Sequence, residues 1–213
     1  VESIKNGEFP LWNPYQFSGH PFFANPQHAI LYPLNGLFFL LPFDVAFNAI
    51  IILHFFLGGL FTYLLLRDLK VGSTGSLISG LIFMLSGYLL SVHSLLNCLL
   101  SVIWTPLIMM FFRRSVLHPG FKNEILTAVF ISFSFLGGGI EIVYGNFWVL
   151  LVMVIFSPQL NPSSPPSVSS RADFTKGGLG GLWRVVRRVR SLVIVCVFFL
   201  FLSAIQLIPF LEL

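Results

Sequence analysis

The sequence predicts an all-α polytopic membrane protein, and its composition, its apolar runs and the placement of its basic residues lead to that prediction. Of the 213 residues, 56% are hydrophobic and only 9% are charged, and the mean hydropathy is +0.89. Soluble domains carry about 25% charged residues, so these charges are too few to cover a water-facing surface. The composition therefore excludes a soluble enzyme, a nucleic-acid-binding protein and a disordered chain.

The apolar runs predict about six transmembrane helices. A helix rises ~1.5 Å per residue, so about 20 apolar residues cross the ~30 Å of hydrocarbon in a bilayer. Five of the predicted helices form a block within residues 44–156, and the sixth follows a polar segment at 157–191. The expected helix bounds are 44–66, 76–93, 96–112, 124–139, 141–156 and 192–213.

Residues 125–156 could form one long span or a hairpin of two short spans, and charge favours the hairpin. A single helix of this length would measure about 48 Å. If the chain turns at Gly137-Gly138-Gly139, Lys5 is the one basic residue of the 12 that lies apart from the others. Because cytoplasmic loops are enriched in Lys and Arg, we expect residues 1–43 to be extracytoplasmic and residues 157–191 to be cytoplasmic.

Three local patterns predict linker, surface and packing roles. The first part of the 157–191 segment is rich in Ser and Pro, which favours a flexible linker. Its basic end, residues 182–190, predicts an interfacial anchor, with a lipid-sensing helix as the alternative. Gly72, Ser76 and Gly80 have the spacing of small residues that lets two helices pack closely.

The extracytoplasmic loop at 1–43 mixes proline, aromatic, amide and histidine side chains with few charges. Rings offer flat faces that stack on a sugar or a prenyl chain, and neutral Asn, Gln and His supply partners for hydroxyl groups. Closely spaced prolines would hold these groups in place. The alternative is an aromatic belt at the lipid headgroups, which explains Trp12, Tyr15 and Tyr32 but leaves the amides unexplained. The predicted substrate-binding residues are Trp12, Asn13, Tyr15, His20, Asn25, Gln27, His28, Tyr32 and Asn35.

The titratable residues give weaker signals. His20 and His28 lie eight residues apart across several prolines, which is not a metal-ligand spacing, so no metal site is predicted. His54, inside an apolar run, is expected to hydrogen-bond to a neighbouring helix. Glu141 follows three glycines at the outer end of the hairpin, where it could act as a base or a metal ligand, or be a solvated turn residue. Cys98 lies in an apolar run and is expected to be a free packing residue.

Several motifs make the chain similar to a known family. The segments Gly7-Glu8-Phe9-Pro10-Leu11-Trp12-Asn13-Pro14-Tyr15, Gly19-His20-Pro21-Phe22 and Tyr32-Pro33-Leu34-Asn35 resemble the first extracytoplasmic loop of the YfhO-type bacterial membrane proteins. Later segments follow in the same order as in that family, and they are residues 83–88, 104–107, 137–141 and 203–212.

This resemblance implies a GT-C-like fold and a glycosyltransferase of the bacterial cytoplasmic membrane. Such an enzyme would move a sugar from a polyprenyl-phosphate donor to a cell-envelope polymer, such as lipoteichoic acid, on the outer face. Membrane lipids, the donor and the polymer are then the expected partners, nucleic acid is not, and a divalent cation stays open as a cofactor. The alternative is a non-enzymatic lipid or polymer transporter, or a membrane assembly subunit.

The resemblance leaves the catalytic residue open. GT-C enzymes usually carry an Asp or Glu in the first outer loop, soon after the first helix. Glu8 and Glu141 are the candidates present in this sequence. We expect the chain to be a fragment of a longer protein, with the family's acidic residue upstream of Gly7.

Overall fold

The computed structural model describes residues 7, 11–13, 18–92, 94–117, 120–156 and 177–211, and this part of the chain is mostly helical. Two short strands, β1 (Trp12–Asn13) and β2 (His20–Pro21), pair antiparallel, with Trp12 opposite Pro21. Two 3-10 turns follow at Pro26–His28 and Pro33–Gly36. The helices are α1 (Leu37–Leu40), α2 (Phe43–Asp68), α3 (Ser73–Met84), α4 (Gly87–Val92), α5 (Leu96–Val102), α6 (Thr105–Leu117), α7 (Phe121–Leu136), α8 (Ile140–Phe156) and α9 (Gly177–Leu211).

Four helical stretches of the described residues are long and apolar enough to cross a membrane, which agrees with an all-α membrane protein. They are Phe43–Asp68, Ser73–Val92, Leu96–Leu117 and Arg188–Pro209. The helices α7 and α8 contain 16 and 17 residues, so each is only about 24–26 Å long. Two such helices are short for ~30 Å of hydrocarbon, and the count of six spans stays a prediction.

The bundle has two ends, which its ion pairs and turns define. The Asp68 end holds the last turn of α2, where Asp68 accepts hydrogen bonds from Arg113 and Arg114 of α6. The loop end holds the turn at Gly137–Gly139 between α7 and α8, together with the residues before α2.

The stretch Leu96–Leu117 forms the centre of the bundle. About 61% of its most apolar window is buried inside the protein, against 22% for Phe43–Asp68 and 28% for Arg188–Pro209. The ring of Trp104 lies at the break between α5 and α6, within 5.1–5.7 Å of the ring centroids of Phe61, Phe130 and Phe133. Aromatic rings at these separations pack favourably. The less buried helices turn large apolar faces outward, as lipid contact requires.

Helices α2 and α3 pack closely through glycine. A Cβ atom on Gly80 would lie 2.7 Å from the carbonyl oxygen of Gly59, and Ser76 is fully buried one turn earlier. The prediction of close packing is confirmed at Gly80 and stays a prediction at Ser76. Gly72 faces open space, so the prediction is wrong there, because Gly72 precedes the first turn of α3.

The end of α2 has a helix-stop geometry that usually requires glycine. The Lys70 amide donates to the Arg67 carbonyl and the Val71 amide donates to the Leu66 carbonyl, both at 3.0 Å. These two bonds form a Schellman motif, whose central residue takes a left-handed conformation. Here that residue is Lys70, with φ of +63°.

The helix α9 is longer than the sixth predicted span. It contains 35 residues and is therefore about 52 Å long, which exceeds the hydrocarbon thickness by roughly 20 Å. Residues 177–191, expected to end a loop, instead continue into the apolar part without a break. The Ser/Pro-rich linker predicted before them lies outside the described residues.

Candidate functional site

Tyr32 anchors the residues before α2 to the centre of the bundle. It is only 2% exposed, and its hydroxyl lies 2.8 Å from Nε2 of His54 and 3.3 Å from the Leu100 carbonyl oxygen. Nε1 of Trp104 donates to the same hydroxyl at 3.1 Å. Burial raises the pKa of Tyr32, an effect that the Trp104 hydrogen bond partly offsets, so the hydroxyl stays protonated.

The hydrogen bonds of His54 fix its tautomer. Nδ1 lies 2.6 Å from the Ile50 carbonyl, which can only accept, so Nδ1 carries the proton. Nε2 of the neutral ring therefore accepts from the Tyr32 hydroxyl. The expected partner of His54 was a neighbouring helix, but its partners are its own helix and the chain before α1. Tyr32 is also not part of an aromatic belt, because it is buried.

Three of the predicted binding residues hold the loop's own backbone. The side chain of Asn25 accepts from the Gln27 amide at 3.0 Å and caps the turn Pro26–His28. Nδ1 of His28 donates to the Phe22 carbonyl at 2.8 Å, and the two rings stack with centroids 4.1 Å apart. Nδ2 of Asn35 donates to the Ala29 carbonyl at 2.7 Å. Two of the amides that a lipid belt left unexplained, Asn25 and Asn35, thus have a structural role.

The other predicted residues of the described loop differ in exposure. Trp12 is 59% exposed, and its ring lies over Gly19, where a Cβ atom would come within 2.8 Å of the indole. Gln27 is exposed and Asn13 is half-buried. Tyr15 and Glu8 lie outside the described residues, as does the side chain of His20.

The loop docks on the turn between α7 and α8. Gly138 has φ of +89°, and a Cβ atom there would lie 2.7 Å from the Pro26 carbonyl oxygen and 2.9 Å from Cα of Gln27. The neighbouring Gly139 donates its amide to Oγ of Ser101 at 2.8 Å. The glycines are thus required because loop, turn and α5 approach one another too closely for side chains.

Glu141 lies at the same end, one turn beyond these glycines. Glu141 is exposed, and its Oε1 atom accepts a hydrogen bond from the Cys98 thiol at 2.9 Å. Cys98 is a free thiol in α5, adjacent to Asn97, which also contacts Gly138. A carboxylate that water can reach therefore lies beside the surface on which the loop rests.

A chain of buried polar groups continues inward from this turn. Oγ of Ser134 donates to the Ser101 carbonyl at 3.0 Å, and Nδ2 of Asn146 reaches Ser134 Oγ at 3.4 Å. Thr105 donates to Oδ1 of Asn146 at 2.9 Å. Asn146 is 3% exposed. These bonds join α5, α6, α7 and α8, and the sequence signal for them was single polar residues within apolar runs.

The described residues contain no group of three or more His, Cys, Asp or Glu side chains placed to hold a metal ion. Glu141 and Cys98 form a pair, which falls short of the usual ligand number of a structural site. The divalent cation left open as a cofactor stays a prediction.

The fold and this site define a mostly helical protein, with four helices suited to a membrane and a folded loop docked at one end of the bundle. Comparison with known proteins gives no relative: no family model, no curated protein and no solved structure matches the chain.

Proposed function

We propose that this chain belongs to a membrane glycosyltransferase of the GT-C type. The enzyme moves a sugar from a polyprenyl-phosphate donor to a cell-envelope acceptor on the outer face of a bacterial cytoplasmic membrane. The loop end of the bundle is the reaction side. This proposal follows the likeness of the loop motifs to YfhO-type proteins, and the geometry of the loop end supports it.

The observation that carries the proposal is that the docked loop and the Glu141 carboxylate share one end of the bundle. Gly138 contacts the backbone at Pro26 and Gln27, and Glu141 follows three residues later. The exposed amide of Gln27 therefore lies at the same end as an accessible carboxylate, and the exposed ring of Trp12 belongs to the same loop. Rings and amides are suited to bind a sugar, and a carboxylate can take a proton from an acceptor hydroxyl.

In the proposed reaction, Glu141 accepts the proton of the acceptor hydroxyl. The oxygen of that hydroxyl attacks the anomeric carbon of the donor sugar. The bond from that carbon to the polyprenyl phosphate breaks, and the phosphate leaves with the electron pair. The thiol of Cys98, bonded to Oε1 at 2.9 Å, holds the carboxylate against α5. Tyr32, Asn25, His28 and Asn35 act as positioning residues because they hold the loop in shape.

The test uses the full protein in cells that otherwise lack it, with the sugar content of the envelope polymers as the readout. Glu141→Gln keeps the shape and removes the base, so we expect transfer to fall about 100-fold or more. Gln27→Ala should weaken transfer by reducing donor or acceptor binding. Asp44→Asn is the matched control, because Asp44 is an exposed acidic residue near the start of α2.

Two outcomes would contradict the proposal at different levels. If the cells show the same polymer sugars with and without the protein, it is not a glycosyltransferase, and a transporter or assembly subunit replaces it. If the wild type restores the sugars and Glu141→Gln does so equally well at equal expression, Glu141 is not the base.

A further inference from the structure

At the Asp68 end of the bundle, four basic side chains lie near a single carboxylate. Arg67 of α2 and Lys70, just after α2, flank Asp68 in the sequence, and Arg113 and Arg114 of α6 contact its carboxylate. We call these four cations the basic cluster. With one carboxylate between them, the cluster has a net charge of +3.

The ion pairs hold two arginines against a single carboxylate. Arg113 donates to Oδ2 of Asp68 at 2.9 Å, and Arg114 donates to Oδ1 at 2.7 Å. The side chain of Arg113 is only 10% exposed, and its Nε atom is buried without a hydrogen-bond partner within the described part of the chain. Charge held in such a partly buried place is costly unless further anionic groups compensate it.

Backbone strain places another cation at this end. Lys70 takes the left-handed conformation, with φ of +63°, at the helix-stop position where glycine is usual. A residue with a side chain is disfavoured in this conformation, so the local fold would be better served by glycine. A functional role for its positive charge would explain why lysine, and not glycine, occupies this position.

The cluster is accessible and lies where lipid headgroups are. Arg67 and Lys70 are exposed, and the Arg114 side chain is 40% exposed. The apolar stretch Phe43–Asp68 ends at this point, so the cluster would lie at the boundary between hydrocarbon and water. Membrane topology alone favours cations near this end, but it does not require two of them to share one carboxylate or a third to adopt a strained backbone.

We propose that the basic cluster binds the phosphate headgroup of an anionic lipid. Arg67, Lys70 and the outer part of Arg114 contact the phosphate, and Asp68 holds the two arginines of α6 in place. Basic pockets between transmembrane helices are known to bind such headgroups. The site lies at the opposite end of the bundle from the proposed reaction and does not depend on it.

The test measures lipid binding to the purified full protein in detergent. Phosphatidylglycerol, phosphatidylcholine or inorganic phosphate is added, and thermal stability and retained lipid by native mass spectrometry are recorded. We expect phosphatidylglycerol to raise the melting temperature and to be retained, and the other two to have little effect. An equal effect of inorganic phosphate would overturn the assignment to a lipid.

Variants separate this site from general surface attraction. Arg67→Gln with Lys70→Gln keeps both ion pairs of Asp68 intact, and the loss of two charges should weaken lipid retention by roughly 30-fold. Lys70→Gln alone should weaken it more than Arg190→Gln, the matched control, which removes an exposed arginine from α9. Equal losses in these two single variants, or wild-type retention in the double variant, would overturn the proposal.

A glycine variant separates binding from stability. Lys70→Gly relieves the left-handed strain, so the protein without added lipid should melt at a higher temperature than the wild type. The same variant should lose most of the stabilisation by phosphatidylglycerol. If Lys70→Gly instead keeps the full lipid effect, Lys70 is not part of the site.

Discussion

Replacing Gly138 with alanine should detach the loop from the bundle. The new Cβ would lie 2.7 Å from the Pro26 carbonyl oxygen and 2.9 Å from Cα of Gln27, both of which are backbone atoms that cannot rotate away. The φ of +89° adds strain of about 1–2 kcal/mol for a residue with a side chain. Overpacking costs a further 1–3 kcal/mol or so. We therefore expect a loss of about 2–5 kcal/mol, divided between global stability and loop docking.

Two measurements distinguish these contributions. Thermal unfolding in detergent reports the global loss, and hydrogen exchange of residues 18–36 reports whether the loop is undocked. Gly145→Ala is the matched control, since a Cβ at that position in α8 meets nothing within 4 Å, and it should be neutral or stabilising by up to about 1 kcal/mol. If Gly138→Ala keeps both wild-type stability and wild-type exchange in the loop, the reasoning about this contact is wrong.

Three further substitutions probe the rest of the bundle by thermal unfolding in detergent. Tyr32→Phe leaves two buried ring nitrogens without their partner and should cost about 1–3 kcal/mol, whereas the same change at Tyr144, which is 64% exposed, should cost nothing measurable. Gly80→Ala places a Cβ against a backbone carbonyl of α2 and should cost about 1–3 kcal/mol; an unchanged melting temperature would contradict the close packing. Asp68→Asn leaves the buried Arg113 without a counter-charge and should cost about 3–5 kcal/mol, more than removing either arginine alone.

The sequence was a good guide to the helices because their signal is a sum over many residues. A run of apolar side chains about 20 residues long has few alternatives to a membrane helix, and α2 indeed occupies Phe43–Asp68 where 44–66 was expected. The breaks at residues 85–86 and 103–104 were not predicted, because each depends on local packing. Trp104, for example, leaves the regular helix where its ring meets three phenylalanines.

The role of individual loop residues could be predicted much less well. Composition identified the amides and histidines as unusual for a lipid belt, but it could not distinguish side chains that bind a ligand from side chains that bind the chain itself. Asn25, His28 and Asn35 bond to backbone groups two or six residues away, a choice that depends on turn geometry. Tyr32 bonds to groups as far as 72 residues away, and one sequence carries no signal for such a pairing.

The position of Tyr32 has a consequence for the order in which the protein is made. A chain synthesised from its N-terminus produces Tyr32 long before Leu100 and Trp104, which lie 68 and 72 residues further on. The loop is therefore synthesised before the two groups that complete its anchor. The loop lacks its full anchor until the stretch Leu96–Leu117, formed by α5 and α6, packs beside α2. Closure of the loop end therefore follows assembly of the helices, since the loop cannot dock on a bundle that lacks its centre.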